Sequence, residues 1–177
     1  MSDPTTERVR FLREASRVVR CHTHGAPDPA YNVGLHTHGI MDLLLVLHPD
    51  PPLELIKAVQ WHDAPERYTG DTPAITKWHS TDIANALSRL EVRIHEHFGT
   101  QTVLDRSEVN WLVCLDKLEL LFWANEQRAL GDYRFDHMAT VLVAWFASRK
   151  NVPVQIARLL EIYAAGARLR DDMEFLR

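Results

Sequence analysis

The residues from Asp105 to Gly131 constrain the fold more than any other part of the chain. WLVCLDKLELLFWANEQ continues a helical pattern that Asp105 or Ser107 can cap, and Gly131 separates it from the next segment. Asp116 lies within the apolar part of that run, where an uncompensated carboxylate is expensive to bury. It needs a partner: an arginine, a cap on a kinked helix, or a metal ion.

The remaining segments read the same way. Residues 6–20 place Val9, Leu12, Ala15 and Val19 on one side of a first helix. HTHGAPDPAYNVG, residues 22–34, collects prolines, glycines and turn formers and predicts a loop. A second helix fits Leu35 to Leu47, ended by HPDPP, and a third runs from Leu53 to about Arg67. TGDTPAITK is too irregular for a long helix and is a candidate active-site loop. Residues 80–98 form a fourth helix, entered at Ser80 or Asp82 and closed near Gly99. A sixth follows Gly131, and a last one begins near Val152. No segment sustains a period of two, so the expectation is an all-α fold of about six or seven helices. Without a strand leading into a glycine-rich turn, the usual dinucleotide and phosphate-loop folds are also excluded.

A chain of 177 residues fits a single domain spanning 1–177. Its formal charge of −4 offers no general attraction to a polyanion, which argues against polymeric nucleic acid as a partner. Cys21 and Cys114 are too few for a disulfide framework and read as free thiols in a cytoplasmic protein. The first residues lack the pattern of a secretion signal, and the longest apolar runs, near 41–47 and 140–147, are too short to span a bilayer.

The chemistry concentrates in QWHDAPERYTGD. His62 and Asp63 are about 100° apart on a helix and can both reach a metal between their directions. Glu66 follows by four and three residues, close enough to orient a water at such a metal. His36, opening an apolar helix after NVGL, also needs a partner. His36, His62, Asp63 and Asp116 together make a nitrogen and oxygen ligand set for one divalent ion of manganese, cobalt, iron, nickel or zinc. His22, His24 and His38 read as surface or loop groups, His95 and His97 as peripheral, and Trp111, Phe122, Trp123 and Trp145 as core or subunit contacts.

The ordered pattern His36, His62-Asp63, Asp116 resembles the HD-domain metal-dependent phosphohydrolases. NVGLHTH, then HDAPERYTGDTPAITK, then the late aspartate, resemble the bacterial 5'-deoxynucleotidases of that superfamily, over most of residues 8–125. The resemblance implies an all-helical, commonly dimeric enzyme that removes the 5'-phosphate from deoxyribonucleoside monophosphates. It implies metal ligation by His36, His62, Asp63 and Asp116, water activation by Glu66, and contact of Asp71 with the reacting centre or sugar. It further implies phosphate binding by Arg20, with Lys77 near the same pocket. Cys21 stands where that family has a tryptophan.

Other readings of the same residues remain open. Arg20 also suits a helix C-terminus, Lys77 a solvated surface, and Asp71 a turn. The same ligands could serve a deoxynucleoside triphosphate triphosphohydrolase that releases tripolyphosphate, or a metal-bearing interaction domain without turnover. The expected partners are a small nucleotide and a second copy of the chain, in a homodimer or higher homo-oligomer.

Overall fold

The computed structural model describes residues 3–23 and 30–164. His24 and the rest of its loop through residue 29 lie outside them. Among the described residues the elements are α1 (Pro4–Ala15), α2 (Val33–Leu47), α3 (Leu53–Trp61), α4 (Glu66–Thr69), α5 (Ala74–His79), α6 (Thr81–Phe98), α7 (Arg106–Ala129), a 3-10 turn (Tyr133–Phe135), α8 (Asp136–Ser148) and α9 (Val154–Ala164). Seven of these helices have nine residues or more, and the fold is a compact all-α domain. No described helix is long and apolar enough to cross a membrane.

The long apolar segment is α7, and it is the centre of the packing. Asp105 caps it: its side chain accepts from the Glu108 N–H while Glu108 accepts from the Asp105 N–H, a reciprocal capping box. Around α7 lie α2, α3 and α8. Ile40 and Leu44 of α2, Leu55 and Val59 of α3, Leu115, Leu118 and Leu121 of α7, Leu142 and Phe146 of α8 and Ile156 of α9 form one core. Trp111 and Trp123 are buried in it, with Phe122 and Trp145 partly buried against it. A smaller cluster of Phe11, Ala15, Ala64 and Ile94 holds α1 and α6 together, with Phe11 stacked on Phe98 at 4.0 Å.

Two boundaries depart from the periodicity. The first helix ends at Ala15 rather than Arg20. The Ser16 hydroxyl donates to the Arg13 carbonyl at 2.8 Å, and a turn with Arg17 N–H on Glu14 O and Val18 N–H on Ala15 O leads into the bridge at the β-branched Val19. There Val33 N–H donates to Val18 O and Arg20 N–H to Tyr31 O, both at 2.9 Å, with Val19 bridged to Asn32. The third helix ends at Trp61, because Pro65 has no N–H to donate back into another turn. The chain tightens instead, with Ala64 N–H on Trp61 O and Glu66 N–H on Asp63 O, both at 3.0 Å, before the single turn of α4. TGDTPAITK is a loop only to Pro73; Ala74 begins the short α5. Gly99, at φ 59°, closes α6 in the left-handed conformation that glycine adopts without a Cβ penalty.

Candidate metal centre

Three elements bring the site together. His36 lies in the first turn of α2, His62 and Asp63 in the tightened turn after α3, and Asp116 midway along α7. One ligand atom each from His36, His62 and Asp116 fall within 4.8 Å of one another. His36 Nε2 is 3.1 Å from Asp116 Oδ1. Asp63 stands outside that group of three yet touches both histidines, with Oδ2 3.2 Å from His62 Nε2 and 3.5 Å from His36 Nε2. Around an ion bound at about 2.0–2.1 Å, neighbouring ligand atoms stand about 2.9–3.4 Å apart. The contacts of His36 with Asp116 and of Asp63 with both histidines, at 3.1 to 3.5 Å, lie close to that span, while the cluster of His36, His62 and Asp116 as a whole is wider, at up to 4.8 Å.

The donor chemistry also fits a cation. His62 Nδ1 is directed to Val59 O at 2.9 Å, while its buried Nε2 faces Asp63 Oδ2 at 3.2 Å without hydrogen-bond geometry. His36 is enclosed by carboxylates on both ring nitrogens, Asp116 and Asp63 at Nε2 and Glu119 at Nδ1. Such an imidazole needs positive charge, either as a second proton or as a metal ion at Nε2.

The protonation tendencies reflect this. Burial disfavours the His62 imidazolium, but Asp63 and Asp116 outweigh it and push the group up to about 9. Burial likewise opposes charge on His36, and Asp116 and Glu119 raise it nonetheless. The Asp63 carboxyl, against its burial, is held well below the usual range by His62 and Arg20. Asp116 is held down against burial by Lys117, whose Nζ is 2.6 Å from Oδ2, and by His36.

Beside the ligands lies Arg20, buried and far from the helix end its sequence position suggested. Its Nη1 donates to Asp63 Oδ2 and lies 3.6 Å from Glu66 Oε1, while its Nε has no partner. Burial works against this guanidinium, but Asp63 and Glu66 keep it charged. Glu66, at the start of α4, has a buried Oε2 without a hydrogen-bond partner. Burial and then the nearby Asp63 push its carboxyl up to about 8, with Arg20 partly offsetting them.

Asp71 is brought to the same side as a clamp. Its Oδ2 accepts from the Cys21 N–H at 2.7 Å, so it ties the segment carrying Arg20 to the loop after α4. Cys21 has φ 53°, an unusual conformation for a residue with a Cβ. Lys77 is exposed on α5 and acts at this site only as a positive charge felt at Glu66. His22 lies 3.8 Å from Asp71, and the exposed His38 pairs with Asp42 at 3.6 Å, so neither joins the ligands.

His95 is less peripheral than its sequence position implied. Burial and the charge of nearby His62 lower it, and its Nδ1 is 2.8 Å from the Thr100 hydroxyl. Sequence reasoning also missed Glu119 and Tyr31. The Tyr31 hydroxyl donates to Glu119 Oε2 at 2.9 Å, beneath His36. The signal was there for Glu119: it is a second carboxylate in the apolar run, three residues after Asp116 and hence on the same side of α7.

Set against models of known protein families the chain matches none, and no curated protein matches its sequence. What the structure establishes is an all-helical domain in which His36, His62 and Asp116 form a cluster able to chelate a metal ion.

Proposed function

We propose that this protein is a metal-dependent phosphohydrolase that removes the 5'-phosphate from deoxyribonucleoside monophosphates, with water as nucleophile. The observation that carries the reading is the convergence of His36, His62 and Asp116, with Arg20 and Glu66 packed beside them. The choice of nucleotide rests on the likeness of NVGLHTH, HDAPE and TGDTP to the 5'-deoxynucleotidase motifs.

His36, His62, Asp63 and Asp116 are the proposed ligands, a set suited to manganese, cobalt, iron, nickel or zinc. A divalent ion held there supplies a lowered water pKa and withdraws charge from a phosphoryl oxygen. Arg20 holds Asp63 in place through Nη1 and retains donor capacity at Nε, which supports a role in binding phosphate. Glu66 Oε2, buried and without a hydrogen bond, is the atom that takes the proton of the attacking water. Burial beside Asp63 raises the affinity of this carboxylate for that proton. Asp71 is assigned to positioning, since its Oδ2 already holds Cys21 N–H and with it the Arg20 segment. Lys77 adds positive charge felt at Glu66. Exposed Leu45, Val46 and Leu53, near the turn between α2 and α3, support a homodimer or higher homo-oligomer.

The test is product analysis. Protein loaded with each candidate metal is incubated with matched deoxynucleoside mono- and triphosphates, and the phosphate products are separated by ion chromatography. Orthophosphate from monophosphates is expected. Tripolyphosphate from triphosphates would replace the proposal with a triphosphohydrolase, and no product from either would remove the hydrolase reading for these substrates.

A further inference from the structure

Glu119 does no chemistry in the reading above, yet it is a buried carboxylate directly behind a proposed ligand. Its Oε2 faces His36 Nδ1 in a very short contact and accepts from the Tyr31 hydroxyl at 2.9 Å. Tyr31 is wholly buried and stacked on Trp123 at 3.9 Å, so its hydroxyl cannot swing away. Asp116 and Glu119, one turn apart on α7, thus hold the two nitrogens of a single imidazole.

The approach depends on a missing side chain. Gly39 lies one turn after His36 on α2, and a Cβ there would stand 2.9 Å from Glu119 Cγ and 3.2 Å from its Oε1. Nothing in the backbone of Gly39 demands glycine, because it has no positive φ. In the middle of a helix glycine is otherwise unfavourable relative to alanine. What it provides here is room for Glu119 under His36.

We infer that Glu119 is a positioning residue for the metal centre: by accepting from His36 Nδ1–H, it keeps the His36 Nε2 lone pair directed at the ion, in space that Gly39 leaves open. A neutral imidazole has two tautomers. In the other one, Nε2–H donates to Asp116 Oδ1, already 3.1 Å away, and two ligands are lost to each other. Glu119 selects against that closed arrangement. Partners of this kind orient metal-bound histidines and raise their basicity.

The inference rests on the metal reading, so the test reads binding rather than turnover. Cobalt(II) is titrated into the whole protein and into Glu119→Gln, Gly39→Ala and Tyr31→Phe. Visible absorption of the bound ion and competition with a chromophoric chelator give the affinity, and thermal melting is followed alongside. Glu119→Gln presents an amide that can donate to Nδ1 and favour the wrong tautomer; it is expected to weaken cobalt about 10- to 100-fold. Gly39→Ala displaces the carboxylate without removing it, and is expected to weaken cobalt as well even though alanine is the better helix former. Tyr31→Phe leaves the Glu119 to His36 contact intact, and is expected to lower the melting temperature while affinity stays within about threefold. A purely structural role moves melting in all three and affinity in none. Cobalt affinity unchanged in both Glu119→Gln and Gly39→Ala, with wild type binding, overturns the inference alone; wild type that binds no cobalt overturns the metal reading with it.

Discussion

Arg20 and Asp63, 43 residues apart in the chain, form an ion pair through Nη1 and Oδ2 at the edge of the metal centre. The pair joins the segment before the first loop to the turn that carries His62. It does so with both side chains largely withdrawn from water, where removal of one partner strands the other.

Asp63→Ala therefore has two expected effects. It removes a proposed ligand, abolishing stoichiometric metal and activity, and it leaves Arg20 with only the longer 3.6 Å contact to Glu66, at a cost of up to about 3 kcal/mol in stability. Glu66→Gln separates the roles: metal content stays near wild type while kcat falls about 10²- to 10⁴-fold. Metal analysis and initial rates on both variants check this, and full activity without Asp63 would sink the proposed site.

The metal-free protein should lose stability as pH rises from about 6 to 9. His62 is raised from its ordinary value to about 9 and Glu66 to about 8, so the folded chain binds these protons more tightly than the unfolded one. The stabilisation from His62 is whole below its unfolded value near 6.5 and is lost as pH passes 9. Glu66 acts in the same direction from its ordinary value of 4.5 up to about 8. Asp63 and Asp116, both held low, weaken the fold only in acid. A bound metal competes with the protons, so the gain in melting temperature on adding metal should grow with pH. Melting curves across this range, with chelator and with metal, decide it; a metal-free protein no less stable at pH 9 than at pH 6.5 contradicts the arrangement.

Neither cysteine should behave as a reactive thiol. Burial, with Asp71 nearby, pushes Cys21 up to about 12, and burial raises Cys114. Since the thiolate is the nucleophile, alkylation of the native protein at pH 8 should be slower than that of the urea-unfolded chain by at least about 100-fold. Mass spectrometry of timed iodoacetamide reactions measures it, and rapid single labelling at Cys21 would contradict its placement.

Asp105→Ala should cost about 1 kcal/mol, and about 2–4 °C in melting temperature, by opening the capping box at the start of α7. Asp105 and the site occupy well-separated positions along the helix, so metal affinity should not follow. A variant that loses metal in step with stability would tie the cap to the centre.

Much of this was legible in the chain. The apolar spacing and caps of 80–98 and 105–131 anticipate α6 and α7, because such signals act within a turn or two. His36 and Asp116 were recognisable as polar groups set in apolar helices. The end of α1 was not readable, because residues 16–20 turn out of the helix and are held by hydrogen bonds to 31–34 across a loop. The local pattern left Arg20 between a helix end and a phosphate ligand, and Asp71 between a turn and a site residue; the hydrogen bond from Cys21 N–H to Asp71 joins the two segments only in the folded chain.

The sequence by itself determined the helical class and which residue types are available to hold a cation, since both follow from local periodicity and side-chain chemistry. Only the tertiary structure decided that Asp116 meets His36, that Arg20 pairs with Asp63, and that Glu119 fits beneath His36 against Gly39. Those relationships depend on how α2 and α7 pack and on where the turn after α3 tightens. Packing of that kind is set by contacts between residues far apart in the chain, which no local pattern records.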